Sequence, residues 1–233
     1  MIRPFRPGDL YLIQRLNRQA TKFHTVQTLL QPHSVMRAAL GSAIPWGDAK
    51  VTTYVLRQDG HSLVMASTIP FCEAYDPAFS YEVAAIVKDG LRRMYGPNPE
   101  DVFYYVTIYN ENYVMPAMPD REGIETEIAR GLYWWAPAAE KATKATVLFS
   151  GSAQGAARQA AEELAEHFDV GVELWSATSY KKLREEALEV ERWNRLHPGQ
   201  PPKTPLVETL LQEAPGPIVA VTDFMKIVPE QIA

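Results

Sequence analysis

The sequence predicts an α/β fold built on a parallel sheet, and three observations carry that expectation. Strand-like and helix-like runs alternate from residue 63 to residue 223. The runs TVLFSG at 146–151, VGVELWS at 170–176 and PIVAVTD at 217–223 are short, apolar and bounded by turn residues, as strands buried on both faces are. Between them lie GAARQAAEELAEHF at 155–168 and a charged run from about 179 to 195, both of helical length and composition.

Taken in order, the chain divides into three sections. The first covers residues 1–57. It opens on a short strand-like run, IRPF, followed by Pro7-Gly8-Asp9, where Asp9 can cap a helix carrying Leu10, Leu12, Ile13 and Leu16. A second helix is expected over 34–40, and VTTYVLR at 51–57 reads as a strand entering the Asp59-Gly60 turn.

The second section covers 58–119. LVMAST at 63–68 is expected to be a buried parallel strand. After the Asp76-Pro77 turn, Phe79, Val83, Val87 and Leu91 recur every fourth residue, the stripe of an amphipathic helix closed by Gly96 and Pro97. DVFYYVTIYN at 101–110 completes a strand–helix–strand crossover of parallel type. The third section, 120–233, holds the alternation described first. It adds a Pro-rich loop, HPGQPPKTP, at 197–205 and a short helix, LVETLLQEA, at 206–214.

Composition narrows the function classes. Hydrophobic residues make up 46% of 233 and charged residues 22%, an ordinary globular balance with enough apolar material for a core. The net charge of -5 and the absence of a basic cluster point away from nucleic acid and from anionic membrane surfaces. A single cysteine, Cys72, excludes an internal disulfide or a multi-cysteine metal site. No apolar run approaches the ~20 residues that span a bilayer, and the opening MIRPFRPGDL lacks a signal-type apolar stretch. A cytoplasmic protein is the simplest expectation.

Candidate chemistry is sparse. Ser150-Gly151-Ser152-Ala153-Gln154-Gly155 sits where a strand opens into a helix and could hold an anion on backbone amides. Its spacing fits neither a dinucleotide fingerprint nor a Walker loop, so a tight turn of small residues is the simpler reading. His61, beside Asp59, could transfer protons or bind a substrate carboxylate, or be an ordinary turn histidine. His24, His33, His167 and His197 show no metal-ligand spacing. Asn110-Glu111-Asn112-Tyr113 follows a strand and is either a ligand or interface loop or a turn satisfying its own backbone. Trp134 and Trp135 are expected in the core or at a subunit interface, and Cys72 as an inert thiol.

Longer strings carry a resemblance. DGHSLVMASTIPFCEAYDPAFSYEVAAIVKDGLRRMYG at 59–96, FYYVTIYNENYVMPAMP at 103–119, EIARGLYWW at 127–135, residues 151–198 ending in ERWNRLHP, and VAVTDFMKIVPEQI at 219–232 resemble the homodimeric pyruvate dehydrogenase first component. The resemblance implies that 58–119 is the end of a thiamine pyrimidine-binding domain and 120–233 a transketolase-like C-terminal domain, truncated. It implies oxidative decarboxylation of pyruvate with thiamine diphosphate and magnesium, acetyl transfer to a lipoyl acyltransferase partner, and a homodimer. It places His61 on the substrate side of the cofactor, positioning or protonating the pyruvate-derived intermediate.

Several departures bear on activity. The family's Gly-Asp-Gly and paired asparagines, which hold the diphosphate and magnesium, are absent, as is the segment supplying the glutamate that activates the thiamine ring. The histidine that follows Asn-Glu-Asn-Tyr in the family is Val114 here. IRPFRPGDLYLIQRLNRQ resembles the opening of a Gcn5-related acetyltransferase, whose acetyl-CoA loop is likewise absent. A composite chain with neither active site complete is therefore expected. An acetyl-CoA-dependent acetyltransferase and a non-catalytic dimerisation module stand as alternatives; a large exposed apolar patch including Trp134 and Trp135 would favour the latter.

Overall fold

The computed structural model describes residues 63, 66–109 and 113–232. The expected elements within 1–57, and the role assigned to His61, lie outside the described residues. The elements that follow are β1 (Cys72–Tyr75), α1 (Ser80–Tyr95), β2 (Phe103–Val106), α2 (Ile124–Arg130), β3 (Tyr133–Ala136), β4 (Thr143–Phe149), α3 (Gln154–His167), β5 (Val170–Ser176), α4 (Tyr180–Leu196), α5 (Leu206–Leu211) and β6 (Ile218–Val221).

β1 and β2 pair in parallel, Cys72 opposite Phe103 and Tyr75 opposite Val106, with α1 as the crossover. The second sheet has the order β3-β5-β4-β6. β4 is parallel to both β5 and β6, as expected, whereas β3 runs antiparallel along the β5 edge. The reading of an α/β fold with a parallel sheet holds, with an antiparallel edge strand that YWW at 133–135 did not announce.

Strand β5 matches its expected bounds, and α3 and α4 fall within a residue or so of theirs. The reasons are local. Ser179 caps α4 by accepting the Lys182 amide at 3.2 Å, and its hydroxyl donates to Ala74 O at 2.6 Å, pinning the helix start to β1. The inner half of β4 supplies Val147, Leu148 and Phe149, all buried, so this strand crosses the core. Phe149 packs edge-on against Phe79 and Trp135, centroids 5.9 and 5.8 Å away.

Four expectations need correction. Leu63, Ala66 and Ser67 are helical, and Ser67 Oγ donates to Leu63 O four residues back at 2.8 Å. A short apolar run cannot distinguish strand from helix by periodicity, and the crossover's first strand is instead CEAY at 72–75. Its buried Glu73 disguised that strand. The strand expected over 101–110 is confined to Phe103–Val106.

On α1 the buried face is Glu82, Ala85, Ile86 and Gly90, while Val83, Val87 and Leu91 are half-buried. The helix is rotated because Glu82 takes the interior position, and because Gly90 lies against the Tyr104 ring. A Cβ there would come within 3.1 Å of that ring. Finally, β6 is the edge of the sheet among the described residues rather than a buried strand, with Ile218 46% and Val219 49% exposed.

Candidate functional site

The carboxyl ends of strands from both sheets converge on Asp76, which follows β1 and is 2% exposed. Its amide donates to Thr178 O, just past β5, at 2.8 Å, and its carbonyl accepts the Gly151 amide, just past β4, at 3.1 Å. Its carboxyl accepts at Oδ1 from Thr107 Oγ1 at 2.5 Å and from the Tyr109 hydroxyl, both just past β2. Ser150 Oγ donates to Thr222 Oγ1 at 3.0 Å. Oδ2 receives no hydrogen bond. Burial pushes the Asp76 carboxyl up, the hydroxyls of Thr107 and Tyr109 work against that, and Asp223 adds to it.

Gly151 belongs to this arrangement. It has φ +52°, and a Cβ there would lie 2.6 Å from Asp76 Oδ1. The turn after β4 is therefore built of small residues so that the Asp76 carboxyl can sit against it. Three of its amides are engaged within the protein: Gly151 to Asp76 O, Ala153 to Ser150 O, and Gln154 to Gly151 O. This is the tight-turn reading of Ser150–Gly155, not an anion cradle.

A second buried carboxyl, Glu82, is 0% exposed and also joins the two units. Oε1 accepts from Tyr133 Oη at 2.6 Å and Ser176 Oγ at 2.7 Å, on β3 and β5. Oε2 accepts the amides of Ala78 and Phe79 at 2.5 and 3.1 Å, one half of a capping box at the start of α1. Tyr81 Oη lies 2.9 Å from Tyr133 Oη and accepts from Trp135 Nε1 at 3.2 Å. Because Tyr133 donates to Glu82, the chain of donors runs from Trp135 through Tyr81 and Tyr133 to the carboxylate. Burial pushes Glu82 up, and its four donors oppose this.

Glu73, on β1, has charged partners. Arg93 lies 2.8 Å from Oε1 and Lys182 2.7 Å from Oε2, while Arg93 also meets Glu100 at 2.6 Å. Burial alone would raise its carboxyl, but Lys182 and then Arg93 overturn that and hold it below the usual range.

The residues singled out from sequence are not brought together. Residues 110–112 lie outside the described residues; Tyr113, beside them, donates to Ala78 O at 2.5 Å. Val114 is 87% exposed. Trp135 stacks on Phe79 with centroids 5.7 Å apart and serves the core, and Trp134 is half-buried with the Arg121 guanidinium 6.0 Å from its ring. Cys72 is buried and its thiol is pushed up to about 11 by burial, an inert setting. His167 ends α3 on the surface, and His197 stacks on Trp193 at 4.5 Å. Asp76 and Glu82 escaped the sequence reading because acidic residues are usually solvated. The available signals were an Asp-Pro directly after a strand end and a Glu three residues past Phe79.

Residues 41–116 match the model of the pyruvate dehydrogenase E1 component middle domain, and residues 131–233 that of the transketolase-like C-terminal domain, together more than half of the chain. The chain belongs to the pyruvate dehydrogenase E1 family. It is 49% identical over 175 residues to the pyruvate dehydrogenase E1 component of Mycolicibacterium smegmatis, 47% over 176 to that of Mycobacterium tuberculosis, and 46% over 175 to that of Escherichia coli. Each match covers 75% of this chain and 19% of the relative, so the chain spans about a fifth of the length of these proteins.

Pyruvate dehydrogenase E1 chemistry calls for thiamine diphosphate, and the described residues do not fit the diphosphate and its metal. No group of three or more His, Cys, Asp or Glu among them could hold a metal ion. Asp76 Oδ1 and the Glu82 carboxyl accept from hydroxyls and amides, and three amides of the Ser150–Gly155 turn are engaged within the protein. What these residues form is the joint between the pyruvate dehydrogenase E1 middle domain and its transketolase-like partner. No described helix is long and apolar enough to cross a membrane.

Proposed function

We propose that this chain is a partial pyruvate dehydrogenase E1 component. The activity it belongs to is oxidative decarboxylation of pyruvate with transfer of the acetyl unit to lipoyl groups. Its own contribution is the seam that holds the end of the middle domain against the C-terminal domain. The observation that carries this reading is 46–49% identity sustained across both domains. In that setting thiamine diphosphate and magnesium supply the carbanion chemistry, the lipoyl acyltransferase is the partner, a homodimer is the assembly, and the cytoplasm is the compartment. His61 is the residue proposed to position or protonate the substrate-derived intermediate. The domain borders we favour are 1–57, 58–119 and 120–233.

The chain alone is proposed to lack decarboxylase activity, since neither its sequence motifs nor its described residues provide a diphosphate and magnesium site. Isothermal titration with thiamine diphosphate and magnesium tests this, with acetyl-CoA as a parallel ligand. Silence from both is the expected result. Micromolar binding of thiamine diphosphate, followed by pyruvate turnover, overturns the proposed inactivity. Binding of acetyl-CoA alone moves the reading to the acetyltransferase resemblance of residues 1–57.

A further inference from the structure

Two buried polar atoms of the joint have no hydrogen-bond partner, and their residues line the same small cavity. Asp76 Oδ2 and Tyr180 Oη are both unpaired, on residues 2% and 3% exposed. The Asp76 carboxyl is near enough to push the Tyr180 phenol up, after burial itself, yet no direct hydrogen bond joins them. The cavity is walled by Leu63, Ala74 and Val228, with Lys181 at its side, and offers about 10 Å³ to the centre of a water-sized molecule, room for one.

The hydroxyls that could have filled this role are engaged elsewhere: Ser67 donates to Leu63 O, Thr178 to Ile128 O, and Ser179 to Ala74 O. A buried polar atom left without a partner is costly, so a space of this size beside two of them favours an occupant.

Charge selects what that occupant is. Lys181 also lines the cavity; its side chain is only 2% exposed and pairs with Glu185 Oε1 at 2.6 Å, and a buried cation here opposes a second one. Asp76 opposes an anion. We propose that the cavity is a binding site for one neutral hydrogen-bonding molecule the size of water, which bridges Asp76 Oδ2 to Tyr180 Oη. The bridge ties the carboxyl end of β1 to the first turn of α4, alongside the Ser179–Ala74 hydrogen bond. It gives Oδ2 the partner that Thr107 and Tyr109, both engaged at Oδ1, do not supply.

The test uses the full chain. A crystal structure resolving ordered water is expected to show one peak about 2.7–3.2 Å from both atoms. Soaking with thallium is expected to leave that peak unchanged; replacement by the heavy cation overturns the proposal, as does an empty cavity. Water-oxygen magnetic relaxation dispersion provides an independent count of long-lived internal waters. Tyr180→Phe keeps the ring and removes the hydroxyl, and it is expected to lose one such water relative to the wild type. An unchanged count in a folded variant overturns the bridge. If Tyr180→Phe does not fold, the wild-type count decides, because a count of zero long-lived waters also overturns it.

Discussion

Glu73 and Asp76 stand three residues apart, one within β1 and one just past its end, and both are buried. Glu73 faces cations, Lys182 at 2.7 Å and Arg93 at 2.8 Å, and is held below the usual carboxylate range. Asp76 faces hydroxyls, with no cation among the described residues bonded to its carboxyl, and is pushed above that range. Glu82 resembles Asp76 in having neutral partners, but all four of its acceptor positions are filled. The difference is one of task. Paired charges fasten α4 and α1 to β1 near the surface, whereas the neutral networks sit in the seam between two domains, where an ion pair would carry a large desolvation cost.

Removing the best-satisfied of these carboxyls is expected to have the largest effect. Glu82→Ala leaves Tyr133 Oη, Ser176 Oγ and two amides without an acceptor in a site closed to water. At about 1–3 kcal/mol for each unsatisfied group, and with some relaxation, a loss of more than about 4 kcal/mol is expected in urea unfolding. A loss under about 1 kcal/mol would mean that the seam does not depend on this network.

Next in size is Gly151→Ala. The backbone conformation at φ +52° disfavours any Cβ, and the added methyl meets the Tyr109 hydroxyl and then the Asp76 carboxyl. A cost of about 2–3 kcal/mol is expected, combining strain with displacement of Asp76. Combining it with Asp76→Ala sharpens the comparison: if the clash dominates, the double variant loses less than the sum of the two single variants.

The two neighbouring acids are expected to respond to pH with opposite signs. Glu73 binds its proton less tightly in the fold than in the unfolded chain, so its stabilisation is present above its ordinary value of 4.5 and is lost as pH falls through the folded one. Glu73→Gln is therefore expected to cost about 1–2 kcal/mol at neutral pH and little in acid. Asp76 binds its proton more tightly in the fold, so its contribution is full below its ordinary value of 3.8 and declines as pH rises through the folded one. Asp76→Asn is expected to flatten that decline and to be tolerated best at high pH. Melting temperatures of both variants across pH check the pair, and parallel profiles would contradict the assignment.

How far the sequence revealed these groups follows from the same contrast. β5 and the two helices flanking it were legible because a pattern of apolar residues between turn signals is what solvent exclusion writes into a chain. CEAY at 72–75 was passed over because its Glu73 looks solvated until Lys182 arrives from 109 residues away. The rotation of α1 was hidden for the same reason: its inward residue is Glu82, whose partners Tyr133 and Ser176 lie 51 and 94 residues on. The sheet edge that β6 forms among the described residues has apolar residues indistinguishable from a core strand, and only the sheet order reveals its exposure.

The smallest effect is expected at a cation on the surface, where the contrast with Glu73 is sharpest. Lys203 Nζ lies 4.1 Å from the centre of the Trp193 ring, at the end of the Pro-rich loop. The loop is also clasped by Asn194, which accepts the Lys203 amide at 2.8 Å and donates to its carbonyl at 2.9 Å. Those two bonds use backbone atoms and survive any change of the Lys203 side chain. Lys203→Ala is therefore expected to cost only about 0.5–1 kcal/mol, the range for a solvent-exposed cation over an aromatic ring. Asn194→Ala is expected to cost more, because it frees the loop backbone itself. Both are read from urea unfolding, with Trp193 fluorescence reporting locally. A larger loss for Lys203→Ala than for Asn194→Ala would show that the ring–cation contact, rather than the amide clasp, holds the loop.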